Sequence, residues 1–339
     1  MVAVTGLGSL PGTDFGAAVR LVADKFGDFA HLPELPARGP WAAFTGRGLG
    51  LPSGLPAQLA AGEWQLSDTP GIDQRRARAT WRDDLEQLEE QLAGYHGRFK
   101  VAVAGPWSLA ATTGVVNAGR VLADRGARRD LAQSLAASAS ELVADLARRL
   151  PGAQLVVQLD EPALPAVAAG AVPTPGGFFR HRSIDLPELA EGIQTVVAAV
   201  REVGRVEGVV LHSCAPWSGP GAGWPLKTLL GAGGDTADVG FSFDLTQLAT
   251  ADFDAVAELA QSGAAIYLGV LPTTTPAVVR SDELRRRALR ALDQLGGIGS
   301  EQLVITPACG LAGWPAPMVS EALTELVSAG RQLTEELAD

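Results

Sequence analysis

The sequence predicts a single (β/α)8 barrel, a TIM barrel, over residues 1–339. Eight short β-rich runs alternate with longer amphipathic runs along the whole chain. The β-rich runs are apolar at almost every position, which is typical of parallel strands buried on both faces. Hydrophobic residues make up 47% of the chain and charged residues 19%, so one large core is expected. An open doubly wound sheet is the alternative fold.

The predicted strands are rich in β-branched and aromatic residues and stop at Gly, Pro or polar residues. They span residues 3–9, 29–32, 99–104, 155–159, 208–211, 238–243, 264–270 and 303–306. The predicted helices repeat apolar residues every three or four positions. They span residues 13–26, 73–92, 131–150, 186–203, 225–230, 252–261, 281–295 and 318–337. Residues 37–71 are rich in Gly and Pro, so we expect an irregular insertion at the barrel mouth, with a flexible loop over residues 46–54.

Charge and composition exclude several functional classes. The net charge of −11 argues against binding to nucleic acid or to an anionic membrane surface, because both require a basic face. The chain lacks the run of about twenty apolar residues that a membrane span needs. Its start lacks a basic stretch followed by an apolar run, so we expect no signal peptide and a cytoplasmic protein. The cytoplasm would keep its two cysteines reduced.

Unusual polar residues follow the predicted strands. In a barrel of this type the active site lies at the carboxyl ends of the strands. The residues found there are Gly8, Ser9, Glu34, Asp160, Glu161, His212, Cys214, Asp244 and Cys309. Both cysteines of the chain are among them, and we infer that these ends form the functional site.

His212 and Cys214 are two residues apart, and a strand points such side chains to the same face. Cys309 follows the eighth strand, and the strand ends of a barrel converge on its axis. An imidazole and two thiolates are ligands that zinc prefers, and three protein ligands leave one position open, as in catalytic zinc sites. Two alternatives remain: the cysteines are small buried apolar residues, or a Cys–His pair acts as a nucleophile.

Asp160 and Glu161 are adjacent at the end of the fourth strand. Adjacent side chains on a strand point to opposite faces, so only one carboxylate can face the mouth. The other would cap a helix or form a buried ion pair. The Gly6-x-Gly8 pattern is no dinucleotide-binding fingerprint, because Pro11 occupies its third glycine position.

Five segments, in this order and spacing, resemble the C-terminal catalytic barrel of cobalamin-independent methionine synthase. They are residues 8–11 (Gly-Ser-Leu-Pro), 105–106 (Gly-Pro), 158–164 (Gln-Leu-Asp-Glu-Pro-Ala-Leu), 212–214 (His-Ser-Cys) and 307–311 (Pro-Ala-Cys-Gly-Leu). The resemblance covers most of the chain. It implies the barrel that methionine synthase shares with uroporphyrinogen decarboxylase, which needs no zinc.

The resemblance also implies a site. Family members bind zinc through one His, two Cys and one Glu, and the homocysteine thiol coordinates the metal. Carried onto this sequence, His212, Cys214 and Cys309 become zinc ligands. The pairs Gly8-Ser9 and Asp160-Glu161 become contacts of the amino and carboxylate groups of the substrate.

The chain departs from the family pattern in two places. A gapless alignment puts Phe243 at the position of the Glu ligand, after the motif Ala237-Asp238-Val239, and Asp244 fits only with a one-residue shift. We expect Asp244 to be the fourth ligand. Full-length family members also have a second, N-terminal barrel that helps bind the folate donor, and this chain has the length of one barrel. The methyl donor, a folate or a corrinoid, therefore stays open.

The sequence thus predicts a zinc-dependent thiol methyltransferase that converts homocysteine, or a similar small thiol, to methionine or its analogue. Its expected partners are the thiol substrate and the methyl donor. Two alternatives are an alkyl transfer of the kind that adds coenzyme M to epoxides, and a zinc- or thiol-binding barrel without turnover.

Overall fold

The computed structural model describes residues 1–221, 223–231 and 239–338. Eight parallel strands of this part of the chain form one sheet with the order β1-β8-β7-β6-β5-β4-β3-β2. The strands are β1 (Ala3–Val4), β2 (Phe29–His31), β3 (Gly97–Ala104), β4 (Ala153–Asp160), β5 (Val206–Ser213), β6 (Val239–Asp244), β7 (Ile266–Leu271) and β8 (Leu303–Pro307).

The sheet closes where the chain leaves β1 and β2. Ser9 and Glu34 form a parallel bridge there. The Leu10 N–H donates to the Glu34 carbonyl at 2.9 Å, and the Glu34 N–H donates to the Gly8 carbonyl at 3.0 Å. These bonds join the two ends of the sheet, and the predicted (β/α)8 barrel is confirmed.

Helices surround the sheet, and aspartates begin three of them. The helices are α1 (Phe15–Phe26), α2 (Phe44–Leu49), α3 (Ile72–Gln91), α4 (Pro106–Thr112), α5 (Arg125–Arg149), α6 (Leu164–Ala168), α7 (Leu186–Arg201), α8 (Leu226–Leu230), α9 (Thr250–Gln261), α10 (Ser281–Gln294) and α11 (Ala316–Glu336). The Asp14, Asp124 and Asp185 side chains accept hydrogen bonds from the first turns of α1, α5 and α7. Because Asp124 caps α5, that helix begins before the predicted residue 131.

Alternate side chains of each strand face opposite sides of the barrel wall. One side packs against the helices in the main core, which includes Phe99, Leu211 and Phe241. A second, separate apolar cluster fills the interior, and it contains Phe29, Val156, Val210, Tyr267 and Val304. The barrel interior is therefore a packed core, and the ligand sites of such barrels lie at the carboxyl ends of the strands.

The segment 37–71 is more ordered than the sequence predicts. It contains α2 and two antiparallel strands, Ala57–Ala60 and Glu63–Leu66, which belong to a small sheet with Gly114–Val115 and Gly119–Arg120. The prediction of a flexible loop over residues 46–54 is wrong for residues 46–49, because these residues belong to α2. A Cβ on Gly46 would lie 2.1 Å from the Pro40 carbonyl oxygen, and one on Gly48 would lie 2.8 Å from Leu109. The glycines thus permit close packing rather than motion.

Two strand boundaries matter for the site. β5 extends through His212 to Ser213, whereas the predicted strand ends at residue 211. β6 runs to Asp244. Asp238, the first residue of the predicted strand, lies outside the described part of the chain, as does Ala237 of the preceding motif. In the described residues no helix combines the length and the apolar character needed to cross a bilayer.

Candidate metal centre

The structure brings three predicted ligands together at the carboxyl end of the barrel. The potential donor atoms of His212, Cys214 and Cys309 all lie within 4.8 Å of one another. His212 is 5% exposed, and both cysteines are half-buried and free. The two Sγ atoms are 3.0 Å apart, although 95 residues separate them in the chain. β5 and the segment that follows β8 therefore deliver one compact set of soft donors.

A residue of the neighbouring strand orients His212. Ser242 of β6 lies opposite His212 in the strand register, and its Oγ is 2.9 Å from Nδ1 of the imidazole. The other ring nitrogen, Nε2, is thereby left for the two thiols. A hydrogen bond to the second nitrogen fixes the orientation of the ring, as partners of metal-bound histidines do.

Two backbone hydrogen bonds hold the Cys309 segment. The Ala308 N–H donates to the Leu271 carbonyl, and the Leu311 N–H donates to the Ser9 carbonyl, both at 2.8 Å. Gly310 has no room for a side chain, because a Cβ there would lie 1.9 Å from the Ser9 Oγ. The second cysteine is thus fixed against the end of β1.

The close contact between the two sulfur atoms shifts the pKa values of the two thiols in opposite directions. Hydrogen bonds from Cys214 and then His212 lower the pKa of Cys309, while the same sulfur contact and burial raise the pKa of Cys214. The contact therefore favours ionisation of Cys309 before that of Cys214. A cation placed between the sulfurs would favour the second thiolate as well.

A cavity of ≈ 200 Å³ opens beside these donors. Its wall includes Ser9, Glu34 and Asp160 in addition to the three donor residues. Gly8 directly precedes the wall residue Ser9. Its φ of +135° favours glycine, and a Cβ there would lie 3.4 Å from the Glu34 carboxyl group. The cavity is large enough for a small amino acid.

Polar side chains inside the barrel hold Asp160. Gln158 Nε2 donates to Asp160 Oδ1 at 2.7 Å and to the Leu7 carbonyl at 2.9 Å, and the buried Lys100 ammonium donates to Gln158 Oε1. Burial raises the pKa of Asp160 to about 7 and lowers the pKa of Lys100 to about 7. Burial also raises the pKa of Glu34, and Arg47 opposes that rise. Burial thus disfavours the charged form of both carboxyl groups in the cavity wall. A positively charged ligand group beside them would favour the carboxylates.

Glu161 lies on the other side of the strand end. Its oxygens accept hydrogen bonds from the Trp107 N–H, the Ser108 N–H and the Ser108 hydroxyl, at 2.7–2.8 Å. The side chain is fully buried and does not line the cavity. Glu161 thus holds the first turn of α4, whereas its neighbour Asp160 faces the cavity.

Asp244 ends β6 and is 7% exposed. Its Oδ1 accepts from both the N–H and the hydroxyl of Thr246, at 2.8 and 2.7 Å. Its oxygens are not among the donor atoms that cluster at His212. Phe243, the residue at the family's Glu position in a gapless alignment, stacks on Phe241 in the core between sheet and helices.

Three further residues, Lys100, Ser242 and Glu34, contribute to the site. Ser242 gives no sequence signal, because a serine in a strand is ordinary. Lys100 has a signal, since a lysine inside an apolar strand run needs a buried partner. The sequence shows Glu34 as a polar residue at a strand end, and the Ser9–Glu34 bridge brings it to the cavity wall.

The sequence profile of the catalytic domain of the cobalamin-independent synthases matches residues 108–332 of the chain. The chain belongs to this family. Membership supports a methyltransferase type of activity. The matched region contains all three clustered donors together with Asp160. No curated protein sequence matches the chain.

Solved structures with the same fold have little sequence in common with this member of the family. A B12-independent methionine synthase from Shewanella sp. W3-18-1, in complex with selenomethionine, has a TM-score of 0.62 and 14% identity, with 99% of each chain covered. A β-galactosidase from the psychrophilic Marinomonas ef1 has a TM-score of 0.50 and 11% identity, with 99% of this chain and 60% of that chain covered. At these identities the likeness shows the barrel fold alone.

Proposed function

We propose that this protein is a zinc-dependent thiol S-methyltransferase that methylates homocysteine, or a closely similar amino-acid thiol. The observation that carries the proposal is the cluster of His212, Cys214 and Cys309 in the wall of a cavity of ≈ 200 Å³. An imidazole and two thiols suit zinc, and three protein ligands leave a coordination position for a substrate. Both cysteines are free, and the proposal places the protein in the cytoplasm, where thiols stay reduced.

Zinc held by these residues would lower the pKa of a bound substrate thiol, so that a thiolate is present at neutral pH. The chain contributes the electrostatic setting. Cys214 and Cys309 supply negative charge, which keeps electron density on a neighbouring sulfur. Ser242 fixes the imidazole of His212, so the donor atoms need little rearrangement. The substrate thiolate would attack the methyl carbon of the donor from the mouth of the barrel. The new bond between sulfur and carbon would form as the bond between the methyl group and the donor breaks, and the demethylated donor would leave with that electron pair.

The polar end of the substrate would lie against the opposite wall. Asp160 and Glu34 offer carboxylates to an ammonium group, and Ser9, preceded by Gly8, offers a hydroxyl and backbone groups to a carboxylate. This arrangement suits an amino acid better than a thiol without an amine. The Shewanella protein was solved with selenomethionine, which agrees with a product of this size. Glu161 would act on this wall indirectly, because it anchors α4 behind β4.

Asp244 stays a prediction as a fourth ligand that the substrate displaces. Its Oδ1 is engaged by Thr246, so it would have to release that contact or use its other oxygen. We also propose that the insertion, residues 37–71, shields the mouth from water, since Ala42 and Phe44 contribute to the cavity wall. The methyl donor, a folate or a corrinoid, is proposed to approach from outside this wall.

The deciding experiment is the zinc content of the purified protein and of Cys309→Ser, measured by elemental analysis together with methionine formation from homocysteine and methylated folate or corrinoid. We expect about one zinc per chain in the parent, and loss of zinc and of methyl transfer together in the variant. Cys214→Ser should behave in the same way. Methyl transfer that survives the loss of zinc would refute the mechanism.

A further inference from the structure

Arg47 of α2 carries a buried guanidinium next to the cavity wall, and its side chain is 5% exposed. Its Nε lies 3.3 Å from Glu34 Oε1, and its Cζ lies 3.7 Å from the centroid of the Trp81 ring. Within the described residues, neither terminal nitrogen, Nη1 nor Nη2, has a hydrogen-bond partner, although both atoms are buried. The open end of a guanidinium thus lies inside the protein.

The nearest carboxylate does not fill that end. Asp84 Oδ2 is 3.8 Å from Arg47 Nη1, beyond hydrogen-bond distance. Asp84 instead accepts two hydrogen bonds of 2.7 Å from Arg38. Unsatisfied donors on a buried charged group are costly, so the terminal nitrogens of Arg47 call for an acceptor that comes from outside the chain.

The space in front of Arg47 adjoins the cavity of the metal centre. A small void there, with room for about one water-sized group, is bounded by Arg47, Trp81, Glu34, Phe44 and Asp160. The last three also line the main cavity. The two spaces thus share three wall residues, and a ligand oxygen in the main cavity would reach Arg47 by displacing these side chains.

The charges around this wall match a zwitterion. Glu34 and Asp160 suit an ammonium group, and Arg47 offers the two parallel donors that a carboxylate accepts. Lys100 is the other buried cation nearby, but its ammonium is bonded to Gln158, and Gln158 rather than Lys100 lines the cavity. Arg47 is thus the positive group that remains available to a ligand.

We propose that Arg47 is the carboxylate-recognition residue of this site and makes it selective for amino acids over amines of the same length. The inference rests on the proposed function only for the amino-acid class of the ligand, not for zinc or methyl transfer. Ser9 supplies neutral donors to the same ligand, and Arg47 supplies the compensating charge.

The test is calorimetric binding of L-methionine and of 3-(methylthio)propylamine, which lacks only the carboxylate, to the parent and to Arg47→Met. Neither ligand has a thiol, so the result is separate from the zinc and transfer experiment. We expect the parent to prefer methionine, and Arg47→Met to weaken methionine binding about 10- to 100-fold while amine binding changes less than about threefold. Arg47→Lys, which keeps the charge without the fork, should lie between them.

Arg76 is an exposed arginine of α3, and Arg76→Met is the matched control. This variant should bind both ligands as the parent does. Equal loss of both ligands in Arg47→Met would overturn the proposal, because Arg47 would then only hold Glu34 in place. Unchanged binding would overturn it as well, since the open nitrogens would be satisfied by water. Failure of the parent to bind methionine would also overturn it. If Arg47→Met does not fold, the two ligands are compared in Arg47→Lys.

Discussion

Single hydrogen bonds decide how the candidate ligands are presented. His212 could rotate about its side-chain bonds, but the contact of 2.9 Å with Ser242 selects one ring orientation. Ser213, between His212 and Cys214, is 1% exposed, and its hydroxyl has no partner in the described residues. Ser242 and Ser213 therefore both lie close to the donors, but among the described residues only Ser242 hydrogen-bonds to a candidate ligand, His212. This difference provides a paired test.

Ser242→Ala should weaken zinc binding about 10- to 100-fold, because outer partners of metal-bound histidines contribute about that much to affinity. Ser213→Ala should bind zinc like the parent. Both affinities can be measured by competition with a chromophoric chelator. Equal affinities in the two variants would show that Ser242 does not orient the imidazole.

At the scale of elements, the end of β4 sends one carboxylate into the cavity and the next into the scaffold. Glu161 accepts three hydrogen bonds from the first turn of α4, a helix that begins directly after β3. A Cβ on Gly105 would lie 2.4 Å from the Glu161 carboxyl group, so the approach is close. Glu161 thus ties the first turn of α4 to the end of β4.

Glu161 should leave a signature in the pH dependence of stability. Burial raises its pKa in the folded protein from 4.5 to about 7. Its contribution to the free energy of unfolding is therefore complete below pH 4.5 and decreases as the pH rises through 7, by about 3 kcal/mol. Urea unfolding of the parent and of Glu161→Gln over pH 4.5–8 should show their stability difference falling in that direction. A difference that is constant with pH would contradict the shifted pKa.

At the scale of the whole molecule, the donor cluster connects strands that are not neighbours. β5 and β8 are separated by β6 and β7 in the sheet, and the centre joins their ends. The barrel closes next to this point through short strands of two and three residues and the Ser9–Glu34 bridge. A metal bound here would tie the end of β5 to the segment after β8, across β6 and β7.

Zinc should therefore stabilise the entire fold. At free zinc about a thousandfold above its Kd, mass action predicts a gain of about 4 kcal/mol in the free energy of unfolding. Urea unfolding with and without zinc should show this gain in the parent and not in Cys309→Ser. A gain of equal size in that variant would mean that zinc binds elsewhere.

The barrel and the identity of the three clustered donors can be predicted from local patterns in the sequence. Apolar periodicity reports burial, so the alternation of β-rich and amphipathic runs predicts eight parallel strands with an outer layer of helices. The His-x-Cys spacing directs two candidate ligands to the same side of the chain at the end of β5, and that geometry is local. The prediction that residues 37–71 are irregular is wrong for the helix and the two strands in this segment. A glycine that permits close packing and a glycine in a loop cannot be distinguished in the sequence, because the difference lies in neighbouring atoms from elsewhere in the chain.

Which polar residues come into contact depends on how distant parts of the chain pack in the folded barrel. Asp160 and Glu161 are equivalent by sequence, and the barrel wall turns one to the cavity and the other to α4. Ser242 reaches His212 through the register of β5 and β6, and Arg47 reaches Glu34 through the packing of α2. Strand register and helix packing depend on residues far apart in the chain, so no local pattern encodes these contacts.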